Sequence, residues 1–581
     1  MKTVAEIVAW LNTPGHIKCI LADITEIGNF VNANVSNFFL SNVAYFGDNQ
    51  NYNAAITGGL SFSESLNVDG QASLSFGSLE IVNTNGIHDS YLTYVWNKRP
   101  IKVYLGDPSW PKTDFVLIFD GLIQEITAPS ENTLSFTVFD KLQRLNDPIS
   151  ERTLADTNYS EKALKNILPL LFGEAFNIQP LLVDKGGVSS VTGTITDSAT
   201  TTTLTNLSST TGMVAGQVLT KISGTGNFGA SPTIQTINSA SQITITSATA
   251  NTAGSIIFNV SGITGTGQIY LVSDTAMQGV IEVRDNGIPI QVVESPGTGT
   301  FSLLTRPVGT ITCSAQGSIQ GRFGYTNTVA GIIEQLVTRY GNPVNRFDVS
   351  SEISFGDFLN TSPVGFYTND RTNILDACNQ LAKSVNANLI CPSIVVSDDG
   401  VVSNSKLRLV EIKAPAGTPK YTLSDDNMIL NSLSIQQMFP VRPSIKLGYC
   451  KNYTIQATVA GGVNPQSRFD EAYLPATAED PAKKTLYRDS GTVAEEETLL
   501  LTTAGATAEA EKRLALWEKQ RYIVTADYLP HLIFVQLGDI VRIKSARFGL
   551  ITQEFPDGKL GMVYSVTRNW TTGIVSIGVL V

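Results

Sequence analysis

Hydrophobic and polar residues alternate with a period of two over much of this chain. A period of two puts one face of a strand in a core and the other in water. Two stretches, one near each end, carry the pattern in the same form. Gly121 to Asp140 reads GLIQEITAPSENTLSFTVFD, and Gly561 to Val581 reads GMVYSVTRNWTTGIVSIGVLV. Each opens on Gly, runs out on an alternating strand, turns through polar residues and returns on a second alternating strand, which predicts a β-hairpin. Each also goes with a strand at a Gly-Asp corner: IKVYLGD, ending at Asp107, and Gly538-Asp539, leading into IVRIK. The match is one of pattern and not of identity, and it predicts two related small β-barrels in one chain.

The rest of the pattern divides the chain. Residues 1–16 predict a short amphipathic helix, MKTVAEIVAWLN, ended by Pro14-Gly15. Residues 17–152 are strand-rich and form the first barrel domain, with Asp69-Gly70 as a hairpin turn. Residues 153–186 read as a helical connector in which Ser160 caps EKALKNILPLLFG and Leu164, Ile167, Leu168 and Leu171 share a face. Residues 187–265 are rich in Thr, Ser and Gly, yet TLTNL, QVLTKI, TIQTI, QITITS and SIIFNV are β-branched runs, so they predict an inserted β-module. Its flanks, LLVDKGG and TGTGQIYLVSD, look like one strand region split by the insertion. Residues 266–325 continue in strands, with a hairpin about Asp285-Asn286-Gly287. Residues 326–440 predict an α/β domain. One helix starts at Thr326-Asn327-Thr328, points Val329, Ile332, Ile333 and Leu336 inward, and stops at Gly341-Asn342-Pro343. A second is capped by Thr372, and a turn at Asp398-Asp399-Gly400 follows. Residues 441–581 form the second barrel domain, begun by SIKLGYC and interrupted at 455–520 by a segment ending in a helix capped by Thr507. The fold class expected is mainly β with α/β insertions, multidomain.

A length of 581 residues agrees with several domains. Charged residues make up 16% of the chain, well below the usual roughly 25%, which suits a surface covered by neighbours or made polar by hydroxyls and amides. The net charge is −11, and no basic cluster marks a nucleic-acid binder; an acidic wall would let DNA slide past. The five cysteines are scattered without a CxxC pair, which suggests neither zinc nor redox chemistry and fits folding in a reducing cytoplasm. No apolar run is long enough for a transmembrane helix, so no membrane insertion is expected, and the N-terminus lacks the apolar core of a signal peptide.

Catalytic patterns are missing. The three histidines, His16, His88 and His531, stand in no GxSxG or HExxH context. Gly224 to Gly229 fits GxGxxG but leads into a strand pattern broken by Pro232, so it reads as a turn. Asp398-Asp399 and Asp425-Asp426 lie in turn-like sequence, where adjacent acids bond their own backbone more readily than they form a glycosidase pair. Glu495-Glu496-Glu497 reads as a solvated helix start or loop. The expectation is a protein that is not an enzyme, with no catalytic, cofactor or metal residues. Trp110, held in Gly106-Asp107-Pro108-Ser109-Trp110-Pro111, either folds onto its own barrel or stands out as an anchor for a neighbouring subunit, and Phe548 holds a comparable place near the other end. These two are the candidate interface residues.

The run NKRPIKVYLGDPSWPKTDFVLIFDGLIQEI, with LSFTVFDKLQRLNDPI after it, resembles the N-terminal part of the tail hub proteins of tailed bacteriophages. LFGEAFNIQPLLVD, GVIEVRDNGIPI and the end from AEAEKRLALWEKQRYIV to the last residue look like the continuation of such a hub. The resemblance covers most of residues 20–185 and 266–581; the 187–265 block departs from it. It implies a structural hub at the tail tip or baseplate, a homotrimer whose subunits each supply two similar barrels and so present a pseudo-sixfold ring to a sixfold tail tube. It also implies the partners: the tube or distal tail protein, a threefold fibre or spike, the tape measure protein, and genomic DNA in transit. The place implied is the virion tail tip, assembled in the host cytoplasm. Two other readings stay open. One is a hub that also degrades the cell envelope, although the insert is poor in Asp, Glu, His and Cys. The other is a glycan-binding adhesin acting through the insert, whose aromatic residues are only Phe228 and Phe258.

Overall fold

The computed structural model describes residues 2–13, 15–29, 35–57, 60–68, 76–159, 161, 165–184, 191–208, 210, 213–260, 268–305, 307–396, 402–460, 467–488 and 493–581. It is mainly β, and its largest sheet runs through sixteen strands. Twelve of these strands form two copies of one arrangement. The first copy is β1 (Cys19–Asn29), β2 (Ser61–Ser65), β3 (Phe76–Val82), β4 (Arg99–Gly106), β5 (Val116–Ser130) and β6 (Thr133–Phe139). Side by side these run β1-β4-β5-β6-β3-β2. The second copy is β7 (Tyr421–Ser424), β8 (Ser434–Phe439), β9 (Arg521–Tyr528), β10 (Ile540–Lys544), β11 (Lys559–Asn569) and β12 (Ile574–Leu580). These run β7-β10-β11-β12-β9-β8, so chain order maps onto spatial order identically in both. One pairing differs in sense: β1 is antiparallel to β4, whereas β7 is parallel to β10.

The likeness extends to single residues. In the β5–β6 hairpin Gln124 is an extra residue against β6, and in the β11–β12 hairpin Tyr564 is the extra residue against β12. A bulge of this kind bends the strand and strengthens its twist. Three residues before each bulge stands a glycine required by crowding: a Cβ on Gly121 would strike the Phe139 carbonyl and the Phe119 ring, and one on Gly561 would strike Val579 and Val581. The predicted hairpins are therefore present and related. The predicted barrels are not closed: no sheet among the described residues closes on itself. The reason is that β2, the last strand of the first copy, pairs onward with β11 of the second. On that edge β10 covers Lys559–Met562 and β2 continues along Ser565–Asn569.

Other expectations are corrected. The second copy takes β7 and β8 from ahead of residue 441, while SIKLGYC lies elsewhere: Ser444–Tyr449 forms a separate three-stranded sheet with Leu474–Glu479 and Glu495–Glu497. The connector holds a strand where a helix was predicted, because Leu170–Ile178 pairs with Gly365–Thr368 and Ile311–Ser318. A strand buried on both faces reads as a continuous apolar run, which periodicity does not separate from a buried helix. Ser160 and Leu164, like the turns at Asp69-Gly70 and Asp398-Asp399-Gly400, fall outside the described residues.

The helices include α1 (Val4–Asn12), α2 (Val329–Arg339), α3 (Ile374–Lys383) and α4 (Thr503–Trp517). A capping box between Thr3 and Glu6 starts α1. Thr328 caps α2, Asn373 rather than Thr372 begins α3, and Thr502 rather than Thr507 caps α4 by accepting from the Gly505 N–H. The hairpin at Asp285-Asn286-Gly287 forms, with Asn286 and Gly287 at φ 49° and 85°, the positive angles a tight two-residue turn needs. The insert leaves and returns between two paired strands, Leu181–Asp184 and Ile269–Leu271, and has a six-stranded sheet and a core of its own that includes Leu204, Ile243, Ile245, Ile256 and Phe258.

Candidate assembly interface

The place where the two copies meet is built from the same alternation that makes each strand. Along β2 and the residue at each of its ends the buried phase is Leu60, Phe62, Glu64 and Leu66; along the end of β11 and the residue after it, Val566, Arg568 and Trp570. Each strand thus carries one charge on its apolar face, and pairing joins them. Arg568 Nη1 lies 3.0 Å from Glu64 Oε2, with both side chains 1% exposed. Arg568 Nε donates to the Ile533 carbonyl at 2.8 Å and Nη2 to the Val535 carbonyl at 2.6 Å. Glu64 Oε1 accepts from the Ser393 N–H at 2.7 Å and from the Ser393 hydroxyl. A buried ion pair is tolerated when its remaining donors and acceptors are used in this way. Around it Phe62 stacks on Phe119 at 4.3 Å, the hydroxyls of Ser63 and Thr567 lie 2.9 Å apart, and Asn67 exchanges two hydrogen bonds with Asn388 just beyond α3. The junction fixes two sheet units and the α/β piece against one another. Sequence reasoning missed these residues, although a charge in the apolar phase of a strand was a legible signal.

Trp110 and Phe548 occupy corresponding connections, β4–β5 and β10–β11. Trp110 is half-buried against its own unit. Its ring lies 4.9 Å from Trp10 of α1, and its carbonyl accepts from the Tyr45 hydroxyl at 3.0 Å. Trp10 Nε1 donates to Asp107 at 3.4 Å, and the Ser109 hydroxyl and N–H, with this indole, hold the Asp107 carboxyl below the usual range. Phe548 is 44% exposed and sits at φ 54°, its carbonyl accepting from Tyr522 Oη at 3.5 Å. Further exposed apolar groups lie on β8: Ile435 is 37% and Met438 60% exposed.

Burial pushes the pKa of His88 and His531 down. Burial pushes the thiols of Cys19 and Cys391 up to about 12 and raises those of Cys313, Cys378 and Cys450. Among the described residues no group of three or more His, Cys, Asp or Glu side chains is arranged to hold a metal. Gly224 to Gly229 runs from a strand into irregular chain, and Asp425-Asp426 forms a turn. Glu495–Glu497 is a strand and not the solvated loop or helix start expected: Glu495 pairs with Lys446 at 2.8 Å, and Glu496 with Arg442 at 3.1 Å and Arg513 at 2.6 Å. Of these, Arg442, Glu495, Glu496 and Arg513 line a cleft of about 600 Å³ between α4 and the three-stranded sheet. No helix among the described residues is long and apolar enough to cross a membrane.

No family model and no curated protein matches the chain. Solved structures do. A 43 kDa tail protein of prophage MuSo2 from Shewanella oneidensis is 8% identical, with 97% of this chain and 98% of that one covered and a TM-score of 0.37. A tail protein from Neisseria meningitidis is 7% identical, with 97% and 96% covered and a TM-score of 0.37. A prophage tail protein from Listeria monocytogenes is 7% identical, with 97% and 94% covered and a TM-score of 0.35. All three are described as tail proteins.

Proposed function

We propose that the chain is a non-enzymatic structural hub of a bacteriophage tail tip or baseplate, a homotrimer that adapts a sixfold tail tube to a threefold fibre or spike and lines the channel through which DNA leaves. The observation that carries this reading is the duplicated six-strand unit, spliced edge to edge within one chain. Three such chains supply six similar units, so one object meets a sixfold neighbour with one set of contacts and a threefold neighbour with another. The partners proposed are the tube-end or distal tail protein, the fibre or spike protein and the tape measure protein. The net charge of −11 supports a channel wall that does not hold DNA. The 16% charged content supports a surface largely covered in the assembly, since interface cores are depleted in charge. The place proposed is the virion, with assembly in the host cytoplasm. Native mass measurement of the purified chain tests the reading: three copies of the 62.5 kDa chain are expected, and a single copy overturns it. Zymography on peptidoglycan tests the non-enzymatic part, and a clearing band overturns that.

A further inference from the structure

We propose that β8 of one copy of this chain pairs antiparallel with the open edge of β5 in the next copy, repeating between chains the junction that β2 and β11 make within one. This deepens the trimeric reading above and rests on it.

Both edges are available. By order and pairing β8 is to the second unit what β2 is to the first: each is the last strand, beside β9 or β3. The far edge of β2 is taken by β11. The far edge of β8 is unpaired among the described residues, and Ser434 through Met438 are all exposed. On the other side, β4 covers β5 only as far as Ile123. The Asn97 side chain reaches the next carbonyl, that of Gln124, at 2.9 Å. Beyond it, Glu125–Ser130 pairs with β6 on one edge and with no strand on the other among the described residues. The equivalent half of β11 is where β2 lies. Two open edges are a pairing hazard in a monomer and a ready joint in an assembly.

The internal repeat also sets the register. The bulges equate Gln124 with Tyr564, hence Ile126 with Val566 and Thr127 with Thr567. On the other side, Ser63 opposes Phe76, which opposes Phe139, while Gln437 opposes Ile523, which opposes Leu580. Phe139 and Leu580 hold the same place opposite Leu122 and Met562, so Ser63 is equivalent to Gln437 and Glu64 to Met438. Within the chain Glu64 faces Val566 and Ser63 faces Thr567; between chains Met438 then faces Ile126 and Gln437 faces Thr127. The charges sort the two joints. Arg568 has Ala128 as its equivalent and Glu64 has Met438, so the joint between chains is apolar where the internal one is ionic. Exchanging strands between the joints strands Arg568 or Glu64 without its partner.

Leu66 donates to the Tyr564 carbonyl at 2.8 Å and Trp570 donates to the Leu60 carbonyl at 2.9 Å, so the even-numbered residues of β11 turn their peptide groups toward β2. Ser63–Thr567, and by equivalence Gln437–Thr127, is a non-hydrogen-bonded pair, whose Cα atoms stand about 4.5 Å apart, within disulfide reach. The test is the variant Thr127→Cys/Gln437→Cys, both positions being exposed. Mild oxidation is expected to give covalent trimers on a non-reducing gel, with none from either single variant. A mixture of Thr127→Cys chains with Gln437→Cys chains is expected to give covalent dimers and nothing larger. A wild-type mass of three copies without these cross-links overturns the strand pairing and leaves the trimer standing. A wild-type mass of one copy overturns the trimer and the pairing with it.

Discussion

Two buried charge clusters set how the units are held. Arg568 and Glu64 are fully desolvated and use their remaining hydrogen-bonding groups on carbonyls and on Ser393. Removing one partner leaves the other buried and unpaired, so Arg568→Met is expected to cost about 3–5 kcal/mol. Arg568→Met combined with Glu64→Gln is expected to recover much of that loss. Denaturant midpoints of the three proteins check this, and a single variant that unfolds with the wild type refutes it. Glu352 is the second case. It lies 3.1 Å from Arg144 and 3.2 Å from Lys141, which also holds Asp120 at 2.7 Å. Burial alone would raise its pKa, but the Arg144 charge, the Asp348 N–H and the Lys141 charge outweigh it and bring it below the ordinary 4.5. A depressed folded-state value means the stabilisation is complete above the unfolded pKa and is lost as pH falls through the folded one. Glu352→Gln is therefore expected to lower Tm at neutral pH and to flatten its fall below pH 4.5. Parallel Tm curves for the two proteins between about pH 6 and pH 3 would refute the assignment.

Among the elements, the two hairpins differ in what crowds their glycines. At Gly121 an added Cβ meets the backbone carbonyl of Phe139 at 2.3 Å, whereas at Gly561 it meets the side-chain methyls of Val579 and Val581 first and the Leu580 carbonyl only at 2.9 Å. Methyls rotate away and a laddered carbonyl does not. Gly121→Ala is thus expected to cost about 1–3 kcal/mol and Gly561→Ala less, as compared by thermal unfolding; the opposite order would count against the equivalence of the hairpins. The insert makes a different prediction. Its ends leave from paired neighbours and its core is separate. Replacing residues 185–267 by a short turn shortens a loop at little entropic cost, and it is expected to leave the unfolding of the remainder unshifted in calorimetry. Loss of the main transition would mean that the insert supports the rest of the chain.

At the scale of the molecule the proposed joint between copies carries the prediction about assembly. Met438 is exposed in the single chain and is placed by the proposal against Ile126 of the next copy, so Met438→Asp is expected to leave the circular dichroism spectrum of the chain unchanged while reducing the native mass from three copies to one. A trimer that survives the substitution would show that β8 is not the joint. Of the two aromatic candidates Trp110 packs on α1, a contact that the local sequence around it does not reveal because Trp10 lies 100 positions earlier. Phe548 stays exposed in the corresponding connection.

Alternation alone determined the hairpins, their opening glycines and their kinship, because a period of two is a local property of consecutive side chains. The same alternation held Glu64 and Arg568 in the apolar phase of their strands, but nothing local joined them: they are 504 residues apart. Only the tertiary structure decided that the two units share one ladder, open among the described residues, instead of closing separately, and which edges there have no strand partner. Strand partners far apart in sequence are chosen by the summed burial and hydrogen bonding of whole edges, and no single segment encodes that sum.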